Sequence, residues 1–184
     1  MAIEYGDGSD SNTGRIIQVV QTTYQGTTSS TSSSDTTISG LDTSITPKEA
    51  ASRIHIAVSI GACGVSGTNN YIYFSLYRNS SVNLPRGSSD GSRQICTFSI
   101  RPGIEHYAFP VSMNYIDAPN TTNSTSYHVK FAREGGTMRI NANGLDYNQS
   151  NYPRTISTMI LTEIAAWITI IMQFIEHIQI KVLL

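Results

Sequence analysis

The feature that most constrains this chain is a two-residue hydrophobic period that restarts again and again between turn signals. Arg53–Ile60 reads RIHIAVSI, with Ile54, Ile56, Val58 and Ile60 on one side. Asn70–Arg78 reads NYIYFSLYR, with Ile72, Phe74 and Leu76 on one face and Tyr71, Tyr73 and Tyr77 on the other. Successive side chains of a strand point to opposite faces, so each run predicts a strand with one buried side. Similar runs occupy 15–23, 36–46, 94–100, 106–116, 126–132, 138–142 and 155–164, separated by Gly, Pro, Asn and Ser clusters. In 106–116 the expected inner face is Tyr107, Phe109, Val111, Met113 and Tyr115, and Pro110 predicts an edge strand or a bulge there. In 126–132 it is Tyr127, Val129 and Phe131, against Ser126, His128 and Lys130. The Ser/Thr tract 26–34 and the turn-rich stretch 79–92 read as loops. About nine short strands without crossover helices exclude a parallel α/β sheet and predict an all-β, antiparallel β-sandwich or jelly-roll-like domain over 15–166.

Two flanking segments differ from this pattern. Residues 1–14 are polar and read as an arm. Residues 164–184 (IAAWITIIMQFIEHIQIKVLL) fit two templates. With period 2, the even positions from Ile168 to Leu184 are apolar except Glu176. With heptad spacing, Ile164, Ile168, Ile171, Ile175, Ile178 and Val182 form one β-branched seam. The length favours a C-terminal apolar helix over 167–184, because a single strand this long is unusual. Ile at both seam positions favours three or four associating helices, and an exposed seam drives association. The expectation is therefore a homo-oligomer, with a trimerisation segment at the C-terminus. Packing of the tail on its own domain is the alternative. Gln173, Glu176, His177, Gln179 and Lys181 interrupt the apolar run, which argues against a membrane span.

Composition narrows the function classes. Net charge is −1, from 12 basic and 13 acidic residues, and no basic stripe favours nucleic acid. Polarity comes instead from 24 Ser, 20 Thr and 12 Asn, a surface suited to sandwiches and fibres. The N-terminus lacks a basic and then apolar leader, so synthesis in a cytoplasm is expected. The sequons at Asn79, Asn120, Asn123 and Asn148 are then chance products of a Ser/Thr-rich chain. Cys63 and Cys96 fit no zinc or redox spacing and read as small core residues rather than a disulfide.

Catalytic patterns fail one by one. The chain has no G-x-S-x-G elbow, no Walker loop and no G-x-G-x-x-G after a strand. His55, His106, His128 and His177 are far apart in sequence. Asp7–Asn12 (DGSDSN) lacks the spacing of a calcium loop. The acids are scattered singly and offer no pair for hydrolysis. The expectation is a non-enzyme with no cofactor and no metal. The row Tyr71, Tyr73 and Tyr77 suits a subunit interface or stacking on a glycan, and equally a second sheet face covered by loops.

An ordered set of motifs carries a resemblance. GRIIQVVQTT (14–23), ISGLDTSITP (38–47), SRIHIAVSI (52–60), YRNSS (77–81), GSR (91–93), DAPNTTNSTSY (117–127) and PRTISTMILTEIA (153–165) follow one another along the chain. Together they resemble a short domain of fibre-like virion proteins from marine and cyanobacterial tailed phages. Asn79 stands where that family usually has Gly, and such domains normally stop near Ala166. The resemblance implies a virion β-sandwich, commonly trimeric, that contacts other virion proteins, with no catalytic residues. Two roles follow as expectations: a capsid-decoration or head-fibre subunit, or a tail-fibre tip that recognises host polysaccharide.

Overall fold

The computed structural model describes residues 14–166, which form an all-β antiparallel sandwich. Its strands are β1 (Ile16–Tyr24), β2 (Thr28–Ser30), β3 (Thr36–Thr37), β4 (Thr43–Ile45), β5 (Arg53–Val65), β6 (Ile72–Arg78), β7 (Val82–Asn83), β8 (Phe98–Ile100), β9 (Phe109–Asp117), β10 (Thr125–Arg133), β11 (Met138–Ile140) and β12 (Ser157–Ile164).

Register shows that several short strands lie end to end. β12 pairs with residues 53–60 of β5 and β11 with residues 63–65, while β9 occupies the other edge of β5. β1 continues this line beside β12, and β2 beside β11. In the second sheet β4 and β3 line one edge of β10, and β7 and β8 line one edge of β6. Counted this way, each sheet has four positions. Numbered along the chain, the β5 sheet runs first, eighth, third, sixth, and the β6 sheet runs second, seventh, fourth, fifth. This is the winding of a jelly roll, in which the chain passes repeatedly from one sheet to the other.

The alternation seen in the sequence builds the interior. Ile54, Ile56, Val58, Ile60, Met159 and Leu161 of one sheet form one cluster with Ile72, Phe74, Leu76, Tyr127, Val129 and Phe131 of the other. Ile38 and Leu41, in the bend between β3 and β4, are also fully buried. Pro110 meets both expectations at once. It lies on β9, whose only strand partner among the described residues is β5, and the register shifts beside it, between Ile60 and Cys63.

Several expectations need correction. The tract 26–34 contains β2, whose Thr28 and Ser30 are half-buried beside β11. The stretch 79–92 contains β7. β5 runs on to Val65, five residues beyond the alternating run. On β9, Val111 and Met113 are buried, but Phe109 is exposed, as is Tyr107 before it. Ile164, read as the first seam position of a helix, is the last residue of β12 and pairs with both Ile16 and Arg53. Ladder pairing on both sides commits it to the sheet. The other seam positions, Ile168, Ile171, Ile175, Ile178 and Val182, lie outside the described residues, as do residues 1–13 of the polar arm, with the DGSDSN segment, and His177.

The two ends of the sandwich are built differently. At one end the chain enters and leaves: Gly14 N donates to Ala165 O, and Ala165 N to Arg15 O. Two buried acids close this end. Glu163 accepts hydrogen bonds from Gln18 Nε2 (2.6 Å) and from the backbone N–H groups of Lys48 (2.8 Å) and Glu49 (3.3 Å). Asp117 accepts from Arg78 Nη1 (2.9 Å) and from the Tyr127 hydroxyl (2.8 Å). Burial raises the Glu163 pKa, but the hydrogen bonds outweigh it and hold the carboxyl below its ordinary value. The opposite end carries the loops after β2, β5 and β10. There Gly136, at φ 74°, lies where a Cβ would collide with Ser66 O, so only glycine fits.

Candidate functional site

The tyrosine row on the outward face of the β6 sheet does not act as one surface. Tyr77 is buried. Its hydroxyl donates to Asp35 and accepts from Arg86, while Arg86 also pairs with Asp35 at 2.8 Å. The Lys130 ammonium lies 4.0 Å from the ring centroid, and the Arg86 guanidinium 4.9 Å from it. Burial, then the Asp35 carboxylate, raise the Tyr77 pKa against the opposing influence of Arg86. Two of the chain's own loops therefore cover Tyr77.

Tyr71 and Tyr73 are different. Their rings stack, with centroids 6.0 Å apart and planes 4° from parallel. Tyr71 is 36% exposed, and Arg101 lies 5.2 Å from its ring centroid. Tyr73 lines an open cleft of about 530 Å³ together with Ser33, Ser92, Arg93, Gln94, Arg133 and Glu134. Several of these groups are already held in place. Arg133 Nε donates to Thr31 O at 2.7 Å, Glu134 Oε2 accepts from Tyr71 N at 3.3 Å, and Arg93 pairs with Asp90. A ring edged by guanidinium, carboxylate, amide and hydroxyl groups can stack on a sugar and bond its hydroxyls. The cleft lies at the end of the sandwich opposite the chain's exit. No sequence pattern marks Arg133, Glu134 or Gln94 for this place. They come from the end of β10 and the β7–β8 loop, and only the winding brings them to β6.

The outward face of the β5 sheet is the second candidate surface. One cross-strand row reads Val19, Thr162, His55, Ile116. Toward the chain's exit the next row is Ile16, Ile164, Arg53. Ile16 is 60% exposed, Val19 57% and Ile116 54%. In the other direction the rows become Gln21, Ile160, Ala57, Asn114 and then Thr23, Thr158, Ser59, Ser112.

The remaining candidates are dispersed. His55 lies on the outward face of the β5 sheet, and His128 on that of the β6 sheet beside Ser80 and Ser126. His106 Nδ1 is 2.8 Å from the Tyr152 hydroxyl. Burial lowers the His128 pKa. Cys63 is buried and Cys96 half-buried, both as free thiols, and burial raises both pKa values and suppresses thiolate chemistry.

No family model and no curated protein matches this chain. Among solved structures it is similar to that of infectious bursal disease virus Gx strain, with 11% identity and a TM-score of 0.39, over 90% of this chain and 41% of that one. The VP2 subviral particle of the same virus gives 11% identity and a TM-score of 0.37, over 90% and 42%. The chain thus spans about two fifths of the length of those chains. A likeness of that degree assigns no role to this protein.

Proposed function

We propose that this chain is a structural subunit of a virion surface, a trimeric capsid-decoration or head-fibre protein located in the virion. The observation that carries the reading is the aliphatic end of the β5 sheet's outward face. The domain fills its own core, yet leaves Ile16, Val19 and Ile116 in solvent beside the point where an apolar tail departs. Large exposed apolar patches mark sites of interaction, and symmetric assembly is the common way to cover them. The jelly-roll winding supports the reading, since capsid domains are among its uses, as are lectins. So does the resemblance of the ordered motifs to those of tailed-phage virion proteins. The reading includes no catalytic step and no cofactor. Immunogold electron microscopy of virions that encode the chain tests it. Label distributed over the capsid is the expected result, and absence of label from every particle would overturn it.

A second reading has its own observation. The Tyr73 cleft lies at the end of the sandwich opposite the corner where the chain departs, so a subunit anchored through that corner would present it outward. It suits a receptor-binding tip that takes host polysaccharide. Label confined to the tail, together with glycan-array binding lost in Tyr73→Ala, would favour this role over capsid decoration.

A further inference from the structure

We infer that the aliphatic end of the β5 sheet's outward face packs against a second copy of this chain. The inference rests on the proposed assembly role and names the surface that does the assembling. An antiparallel sheet with one solvated face normally shows polar residues there. The Thr23, Thr158, Ser59, Ser112 row obeys that rule. The Val19 and Ile16 rows break it, although they belong to the same strands. The only side chains in these two rows able to carry charge are His55 and Arg53, and the Arg53 guanidinium has to stay at the solvated rim of such a contact.

Position identifies the occupant. The Ile16 row adjoins the corner where Ala165 bonds to Arg15 and the chain departs. Beyond it lie the 18 residues 167–184, which carry Ile168, Ile171, Ile175, Ile178 and Val182 at heptad spacing. Association of these segments around a common axis, as Ile at both seam positions favours, brings the same corner of every copy to that axis. The neighbouring copy is then the body nearest the aliphatic rows. The exposed residues also lie at opposite margins of the face, Val19 on β1 and Ile116 on β9. A closed ring needs that arrangement, because each copy offers one margin to the neighbour on one side and the other margin to the neighbour on the other.

The test uses the full chain in a Cys96→Ser background, with Cys63 left buried. Maleimide labelling compares Val19→Cys with Ser112→Cys, which lies at the polar end of the same face, and sedimentation gives the mass. The expected result is an oligomer in which Val19→Cys reacts many times more slowly than Ser112→Cys. Val19→Asp should then weaken association about ten-fold or more, with the unfolding midpoint of the separated chain kept. An oligomer with Val19→Cys fully reactive overturns the inference and leaves the assembly reading intact. Slow labelling with association unchanged by Val19→Asp also overturns it, because the chain's own tail is then the cover. A chain that sediments as a monomer overturns both.

Discussion

The two outward sheet faces answer the same problem in opposite ways. The β6 sheet presents Tyr77, and the chain's own loops close over it with Asp35 and Arg86. The β5 sheet presents Val19, Ile116 and Ile16, and no described element closes over them. A phenol offers a ring for cations and a hydroxyl for a carboxylate, so polar loops gain by folding onto it. An aliphatic side chain offers only apolar area. A Ser/Thr-rich loop gains little by covering it, and another apolar surface gains much.

The sharpest way to break this comparison is to truncate one residue on each face. Tyr77→Ala is expected to lower unfolding stability by about 3 kcal/mol, through lost ring contacts and a stranded Asp35–Arg86 pair. Val19→Ala is expected to move the stability of the separated chain by no more than about 0.5 kcal/mol. Urea unfolding of both variants decides it, and equal losses would mean that both faces are equally covered.

A smaller effect is expected at the corner below the aliphatic rows. The folded Glu163 pKa is depressed below the ordinary 4.5, so its carboxylate stabilises the fold fully above that pH. The contribution is lost as pH falls through the folded value. Glu163→Gln should cost about 1–2 kcal/mol at neutral pH. The gap from the parent chain should close as both are acidified. A gap that stays constant down to pH ~3 would show that the charge is not what the Lys48 and Glu49 amides recognise.

The smallest effect is expected in the β6–β7 turn, on the loop-covered face. Asn79 and Ser80 have φ of 49° and 62°. Asn adopts this left-handed region with less strain than most residues, and Gly adopts it freely. The Asn79 backbone N–H also donates to Ser126 O (2.8 Å), and its Oδ1 accepts from Ser126 N (3.0 Å). This gives a physical account of an Asn at a place where Gly is expected. Ser80→Gly should stabilise the chain by about 0.5 kcal/mol after losing its contact with His128. A destabilisation would mean that the contact, rather than backbone strain, governs the turn.

The period-2 runs made β5, β6, β10 and β12 legible, because burying one face of a strand writes alternation directly into the residues. Pro110 marked its edge strand for the same local reason: it has no N–H to give a second neighbour. β2, β3 and β7 were not legible as separate strands, since Ser, Thr and Asn stay in a sheet only when a longer strand beside them supplies the ladder. Tyr71, Tyr73 and Tyr77 were visible as a row in the sequence, but their fates were not. Exposure of Tyr71, burial of Tyr77 and the cleft beside Tyr73 depend on loops from positions 31–35, 79–96 and 133–134, which meet only through the jelly-roll winding. By itself the sequence determined the inward faces of β5, β6 and β10, because those are set by neighbours two positions apart, whereas Tyr107 and Phe109, placed inward by the same period, are exposed. The tertiary structure alone decided which outward residues remain uncovered, because that depends on chain segments up to about a hundred positions away, as in the Arg133–Thr31 hydrogen bond.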